Sequence, residues 1–161
     1  MRLKLTLKCL SLLFLVYTFL RIIFFTLNYH SFKKFDLNVI LNCFVNGLRF
    51  DASSIFLLNL FFLGLIFLSS KRLFENQKFQ WFLRATFILL NFPFIVANLI
   101  DSEYYKFTGN RMNVEILIFQ KEANNQIGQF FSNYWYIVCL AVLLFYILYK
   151  FFPRPQIQSE Q

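Results

Sequence analysis

Four long apolar segments divide this sequence, at residues 9–27, 52–69, 81–100 and 131–152. Each approaches the length of about 20 residues that an α-helix needs to cross the hydrocarbon core of a bilayer. Hydrophobic residues make up 58% of the chain and charged residues 15%, whereas soluble domains have roughly 45–50% apolar and about 25% charged residues. A water-soluble core of this size could not hide so many apolar side chains. The sequence therefore predicts an all-α integral membrane protein with four transmembrane helices.

These segments place residues 1–152 in one transmembrane domain and residues 153–161 in a short cytoplasmic tail. The first segment follows basic residues, as a signal peptide does, but it is longer than a signal h-region and has no A-x-A site. We therefore expect an uncleaved first helix. Pro93 falls inside the third segment, where neighbouring helices can satisfy the carbonyl group that a proline leaves free.

The segment between the first two spans, residues 36–50, is too polar to cross a membrane. Apolar residues recur at helical spacing from Leu37 to Leu48, and Asn38, Asn42 and Asn46 fall on one stripe. This pattern predicts an amphipathic helix lying in the outer interface of the membrane, with a plain loop as the alternative. Residues 101–133 form a second polar segment on the same side, in which the apolar stretch 114–119 is expected to dip into the interface.

Basic residues outnumber acidic residues by 16 to 8. In a membrane protein this excess is typical of residues that flank spans and face anionic lipid, and we predict no nucleic-acid partner. Nine basic residues lie on the side that holds both termini and six on the other side. The positive-inside rule therefore predicts that both termini are cytoplasmic.

Residues that could carry catalysis are scarce. His30 is the single histidine, and Cys9, Cys43 and Cys139 are scattered without metal-ligand spacing. No phosphate-binding glycine motif occurs, and no carboxylate lies in the middle of a span, where a transporter would place a proton relay. We predict no catalytic residue, no metal ligand and no cofactor in this chain.

Arg21 is the one formal charge deep inside a predicted span. A buried arginine in a span either pairs with a carboxylate or extends its side chain to the interface. Both interpretations stay open from sequence alone, with Asp51 and Asp101 as the candidate partners. Asn59, Asn91 and Asn98 lie in apolar helices, where hydrogen bonds to neighbouring helices are their expected role.

Two charged clusters lie next to span ends on the predicted outer face. The first is Gly47-Leu48-Arg49-Phe50-Asp51, and the second runs from Asp101 to Arg111. Their charges can form an ion-pair network between helices, or they can mark the membrane boundary.

The same clusters carry a family resemblance. The stretch Gly47-Leu48-Arg49-Phe50-Asp51-Ala52-Ser53 resembles the G-L-R-x-D-x-S motif of bacterial lipoteichoic acid synthase-like proteins of the sulfatase superfamily. The pattern Asp101-x-Glu103-x-Tyr105-x-x-x-Gly109-x-Arg111 is similar to the segment after their third helix, and Lys121-Glu122-Ala123 also resembles the family. Together with Arg21 near the end of the first helix, these motifs follow the family's order over nearly the whole chain.

The resemblance implies a protein of the bacterial plasma membrane that acts in the cell envelope. Family members have generally five spans and then an extracytoplasmic domain with a threonine or serine nucleophile and a divalent metal. That domain transfers phosphoglycerol- or phosphoethanolamine-type groups, or hydrolyses phosphate or sulfate esters. Because this sequence stops after its fourth predicted span, we expect a truncated anchor portion that is not catalytic alone, with the metal belonging to the missing domain.

The resemblance also assigns candidate roles on the outer face. The expected docking or lipid head-group residues are Arg49, Asp51, Asp101, Glu103, Tyr105 and Arg111, and the expected partners are phosphate-bearing lipids and a sulfatase-like domain encoded downstream. A stand-alone membrane scaffold or accessory subunit without catalysis is the alternative.

Overall fold

The computed structural model describes residues 2–112 and 134–153, and within these ranges the regular structure is helical. The helices are α1 (Arg2–Leu27), α2 (Tyr29–Phe32), α3 (Leu37–Leu58), α4 (Leu60–Leu68), α5 (Lys71–Glu75), α6 (Gln77–Thr108) and α7 (Trp135–Phe151). No strand occurs among the described residues. The predicted all-α class is confirmed for this part of the chain.

Two of these helices, α1 and α6, are long and apolar enough to span a membrane. The pair α3 and α4 passes the same test as one unit, although the two helices meet at a bend of 52°. Helix α7 is apolar but has only 17 residues. Length and composition thus give two to three candidate spans in the described residues, and the four predicted spans are not confirmed.

Helices α1 and α6 form the centre of the bundle. Helix α6 packs against α1, α4, α5 and α7, and α1 also packs against α2, α3, α4 and α7. Its buried stripe repeats every fourth residue through Leu83, Phe87, Asn91, Ile95 and Leu99, which is the spacing that keeps side chains on one helix face. Helix α1 presents a matching apolar stripe of Leu5, Cys9, Leu13, Val16 and Leu20. The bundle core therefore follows from two periodic faces that meet along α1 and α6.

Helix α3 differs from the sequence prediction. Residues 37–50 are helical, but the helix continues without a boundary to Leu58, so the expected interfacial helix and the start of the second span form one element. Between residues 48 and 58 no glycine or proline interrupts the helix. The break comes instead at Asn59, which separates α3 from α4 and whose side chain donates to the Ile55 carbonyl at 2.8 Å.

Helix α6 is longer than the predicted span 81–100 at both ends. It begins after Asn76, whose side chain accepts a hydrogen bond from the Lys78 amide, and it ends at Gly109. Gly109 has a φ of 67° and donates its amide to the Tyr105 carbonyl, as a left-handed helix cap does. The predictions for residues 114–119, 121–123, 131–133 and 154–161 lie outside the described residues.

Candidate functional site

Arg21 of α1 pairs with Asp51 of α3. One guanidinium nitrogen, Nη2, lies 2.7 Å from the Asp51 carboxylate, and Nη1 donates to the Phe44 carbonyl at 3.2 Å. The side chains of Arg21 and Asp51 are 19% and 18% exposed. Of the two interpretations that the sequence left open, the structure shows the ion pair, and it selects Asp51 over Asp101.

Gly47 makes this contact possible. The Arg21 guanidinium lies directly against α3 at Gly47, where any Cβ atom would overlap it. A glycine in a helix interior costs roughly 0.5–1 kcal/mol relative to alanine, so its presence here has a packing reason. Sequence analysis placed Gly47 in the first cluster but did not identify this role, because the contact depends on how α1 and α3 are rotated against each other.

The second cluster reaches the same end of the bundle through the Gly109 turn. After this turn, Arg111 lies with its Cζ atom 4.5 Å from the centre of the Phe24 ring, a cation–π contact. Its Nε atom is 3.8 Å from an Asp101 carboxylate oxygen, and the other oxygen of Asp101 accepts a hydrogen bond from the Met112 amide at 2.6 Å. The Arg111 side chain is still 62% exposed, which leaves it available to a ligand.

A small polar pocket joins the two clusters, and we call this region the polar end. The pocket has a volume of about 30 Å³, which is enough for two to three water molecules at roughly 10–15 Å³ each. Its lining includes two guanidinium groups, one carboxylate, an amide and two hydroxyls, together with two apolar side chains: Tyr17, Leu20, Arg21, Phe24, Asp51, Asn98, Ser102 and Arg111. This arrangement can hold water or a single anionic oxygen beside Arg21 and Arg111.

The remaining predicted site residues do not line this pocket. Glu103 is buried and pairs with Lys106 at 2.6 Å, with the Tyr136 hydroxyl of α7 beside it. Tyr105 stacks on Phe32, with ring centres 6.0 Å apart. Arg49 is exposed on α3. The structure thus brings Asp51 and Arg111 into one pocket with Arg21, and it places Asp101 beside Arg111. Arg49, Glu103 and Tyr105 lie outside the pocket lining.

The three asparagines predicted to bond between helices differ in their hydrogen-bond partners. Asn59 and Asn91 are fully buried and exchange two side-chain hydrogen bonds, at 3.0 and 2.9 Å, so the predicted bonding between helices is confirmed for this pair. The prediction is wrong for the Asn98 amide group, which donates within its own helix to the Phe94 carbonyl and lines the polar pocket.

Asn28 was not predicted as part of this region. It is buried at the end of α1 and donates to the Ser102 carbonyl of α6 at 2.9 Å. It thereby joins the two helices that carry most of the pocket. The sequence signal was a polar residue directly after an apolar helix, which by itself also fits a helix end.

Among residues 2–112 and 134–153, no group of three or more His, Cys, Asp or Glu side chains is arranged to hold a metal ion. The fold and the polar end define a helical protein with two to three helices long and apolar enough to span a membrane, and with a charged, ion-paired site at one end of its bundle. Comparison with protein families, curated proteins and solved structures found no match to this chain. The family resemblance therefore stays a prediction.

Proposed function

We propose that this chain is the membrane-embedded anchor portion of a lipoteichoic acid synthase-like protein of the sulfatase superfamily, in the bacterial plasma membrane, and that it is not catalytic alone. The observation that supports the proposal is the polar end. The two stretches on which the resemblance rests, residues 47–53 and 101–111, are far apart in sequence, yet Asp51 and Arg111 line one pocket.

In this proposal the polar end faces the catalytic side of the membrane and holds a phosphate-bearing head group close to the sulfatase-like domain. Arg111 suits this role because its exposed guanidinium can bind phosphate oxygens in pairs. Arg21 is already engaged by Asp51 and the Phe44 carbonyl, so it contributes positive charge rather than free donors. The divalent metal and the nucleophile belong to the sulfatase-like domain.

The decisive experiment is to sequence the gene and its transcript downstream of the Gln161 codon. We expect a reading frame that continues, or resumes after one lesion, into a fifth span and a metal-binding sulfatase-like domain. A frame that ends without such a domain nearby would overturn the proposed function and leave a stand-alone membrane scaffold or accessory subunit.

The head-group role has its own test in the purified chain. Replacing Arg111→Gln removes the exposed guanidinium, so this variant should retain one phosphatidylglycerol molecule fewer than the wild type in native mass spectrometry. Lys34→Gln is the matched control, because Lys34 is an exposed cation that lies outside the pocket. Equal retention by the two variants would remove Arg111 from the head-group site.

A further inference from the structure

A second concave region lies away from the polar end, between α4, α5 and the start of α6. This groove has a volume of about 340 Å³, within the range of about 300–1,000 Å³ that is typical of ligand sites. Its walls are almost entirely apolar and include Phe61, Leu68, Leu73 and Phe79. A groove with such walls in a membrane protein favours hydrocarbon as its occupant.

Gly64 lines the groove and leaves the space beside it free. A Cβ atom added at Gly64 would meet no other atom within 4 Å, so the missing side chain leaves real space along α4. The opposite wall comes from Leu73 and Phe79, since α5 packs back against α6. On the α4 side the lining runs from Phe61 through Gly64 to Leu68, which is about two helical turns and suits an extended acyl chain.

Two exposed basic residues lie in the chain between the groove residues Ser69 and Leu73. Lys71 and Arg72 directly precede the groove residue Leu73, and both are exposed. Within the described residues neither pairs with a carboxylate. Arg2, in contrast, already donates to the Phe67 and Ser69 carbonyls. Two unpaired cations beside an apolar groove are complementary to a phospholipid, whose phosphate and acyl chain are joined in the same way.

We propose that this groove, which we call the lipid groove, binds one anionic phospholipid, with an acyl chain along Gly64 and the phosphate at Lys71 and Arg72. This site is distinct from the polar end and does not depend on the proposed function.

The test uses the purified full chain in detergent micelles with dioleoyl-phosphatidylserine or dioleoyl-phosphatidylcholine, followed by native mass spectrometry. The acyl chains of the two lipids are identical, so the comparison isolates the head group. In the Arg111→Gln background, which removes the exposed guanidinium of the polar end, we expect one retained phosphatidylserine. It should bind about tenfold more tightly than phosphatidylcholine, because two cations attract its net negative head group, whereas the phosphatidylcholine head group has no net charge. Equal retention of both lipids would overturn the proposal.

Two variants at one position separate the groove from the surface around it. Gly64→Phe places a large side chain in the groove and should abolish the selective retention, whereas Gly64→Ala leaves most of the space and should keep it. The Cβ atom of neither substituted residue meets a neighbouring atom, so α4 should form in both variants. If Gly64→Phe retains phosphatidylserine like the wild type, the lipid lies elsewhere and the proposal fails.

The charge requirement is tested with the double variant Lys71→Gln/Arg72→Gln. The control is a second double variant, Lys4→Gln/Lys8→Gln, which removes two exposed cations elsewhere. Only the first pair should remove the preference for phosphatidylserine. An equal loss in both would reduce the effect to general surface charge and overturn the site.

A dimer mass that disappears in Gly64→Phe would instead assign the groove to a second copy of the chain. Should Gly64→Phe not fold, a diazirine-labelled phosphatidylserine must crosslink the wild type within residues 61–79, and crosslinking elsewhere would refute the site.

Discussion

At the scale of single residues, the polar end depends on how one charge is accommodated. An arginine at the centre of a membrane helix costs about 2.5–3.5 kcal/mol on insertion scales, and Arg21, which is closer to the end of α1, bears part of this cost. Arg21 offsets this cost with the Asp51 carboxylate and the Phe44 carbonyl. Asp51 is itself only 18% exposed, so without Arg21 its carboxylate would be a largely buried charge that has lost its salt bridge. Gly47 is the third member of this unit, because it provides the space in which the guanidinium lies.

Gly47→Ala should therefore destabilise the protein, although alanine is the better helix former. The added Cβ overlaps the mobile guanidinium end of the Arg21 side chain, which must move away and so loosens its bonds to Asp51 and the Phe44 carbonyl. Hydrogen bonds to charged groups are worth about 1.5–3 kcal/mol, and a partial loss of them should exceed the gain in helix propensity. The measurement is the free energy of unfolding in mixed micelles of sodium dodecyl sulfate and a mild detergent.

Gly64→Ala is the matched control, because its Cβ enters open space and the change should be neutral or stabilising by about 0.5–1 kcal/mol. In an Arg21→Ala background the cost of Gly47→Ala should largely vanish, since the overlapping group is gone. If Gly47→Ala and Gly64→Ala have the same effect, the packing unit described here is wrong.

At the scale of elements, local sequence signals predicted where helices occur better than where they end. The apolar runs located α1, α6 and α7, but the ends of α6 are set by Asn76 and Gly109 rather than by the loss of apolar residues. The break at Asn59 was likewise not predicted. Its side-chain bond to the Ile55 carbonyl does not mark it as a break, because Asn91 and Asn98 make the same kind of bond inside the unbroken α6.

The sequence also predicted the residues of the candidate site only in part. Sequence analysis placed Arg21, Asp51, Asp101 and Arg111 on one face, because successive spans alternate direction. It could not choose between Asp51 and Asp101 as the partner of Arg21, since that choice depends on the rotation of α1 about its axis. Tyr17 and Ser102 were not predicted as pocket residues for the same reason.

The junction of α4 and α6 gives a prediction at this scale. Asn59 and Asn91 form a closed pair in the buried core, and hydrogen bonds between membrane helices are worth about 0.6–2 kcal/mol. Asn59→Leu or Asn91→Leu alone should lower the free energy of unfolding, because each leaves one amide without its partner. The double variant should lose less than the sum of the single losses.

The control for this cycle is Asn98→Leu, which removes an amide bonded only within its own helix among the described contacts. It should cost less than either member of the buried pair. Additive effects of Asn59→Leu and Asn91→Leu would show that the pair does not couple α4 to α6.

At the scale of the whole molecule, the number of spans depends on α4 and α7. The pair α3 and α4 is bent by 52°, and only the apolar α4 end of it reaches the lipid groove. Helix α7 has 17 residues, so at 1.5 Å per residue it is about 26 Å long, against about 30 Å for the hydrocarbon core. A shortfall of this size costs only fractions of a kcal/mol per Å, because the bilayer thins around a short helix.

Four spans and cytoplasmic termini are therefore our expectation for the chain in a membrane, and reporter fusions test it. Green fluorescent protein fluoresces only on the cytoplasmic side and alkaline phosphatase is active only on the opposite side. We expect phosphatase activity after Phe35, between α2 and α3, and fluorescence after Glu75, between α5 and α6, where Lys71, Arg72 and Lys78 supply the positive charge. Fluorescence after Pro153 would then require α7 to cross. Phosphatase activity after Pro153, with the other two fusions as expected, would mean that α7 does not span and that the C-terminus lies on the same side as the polar end.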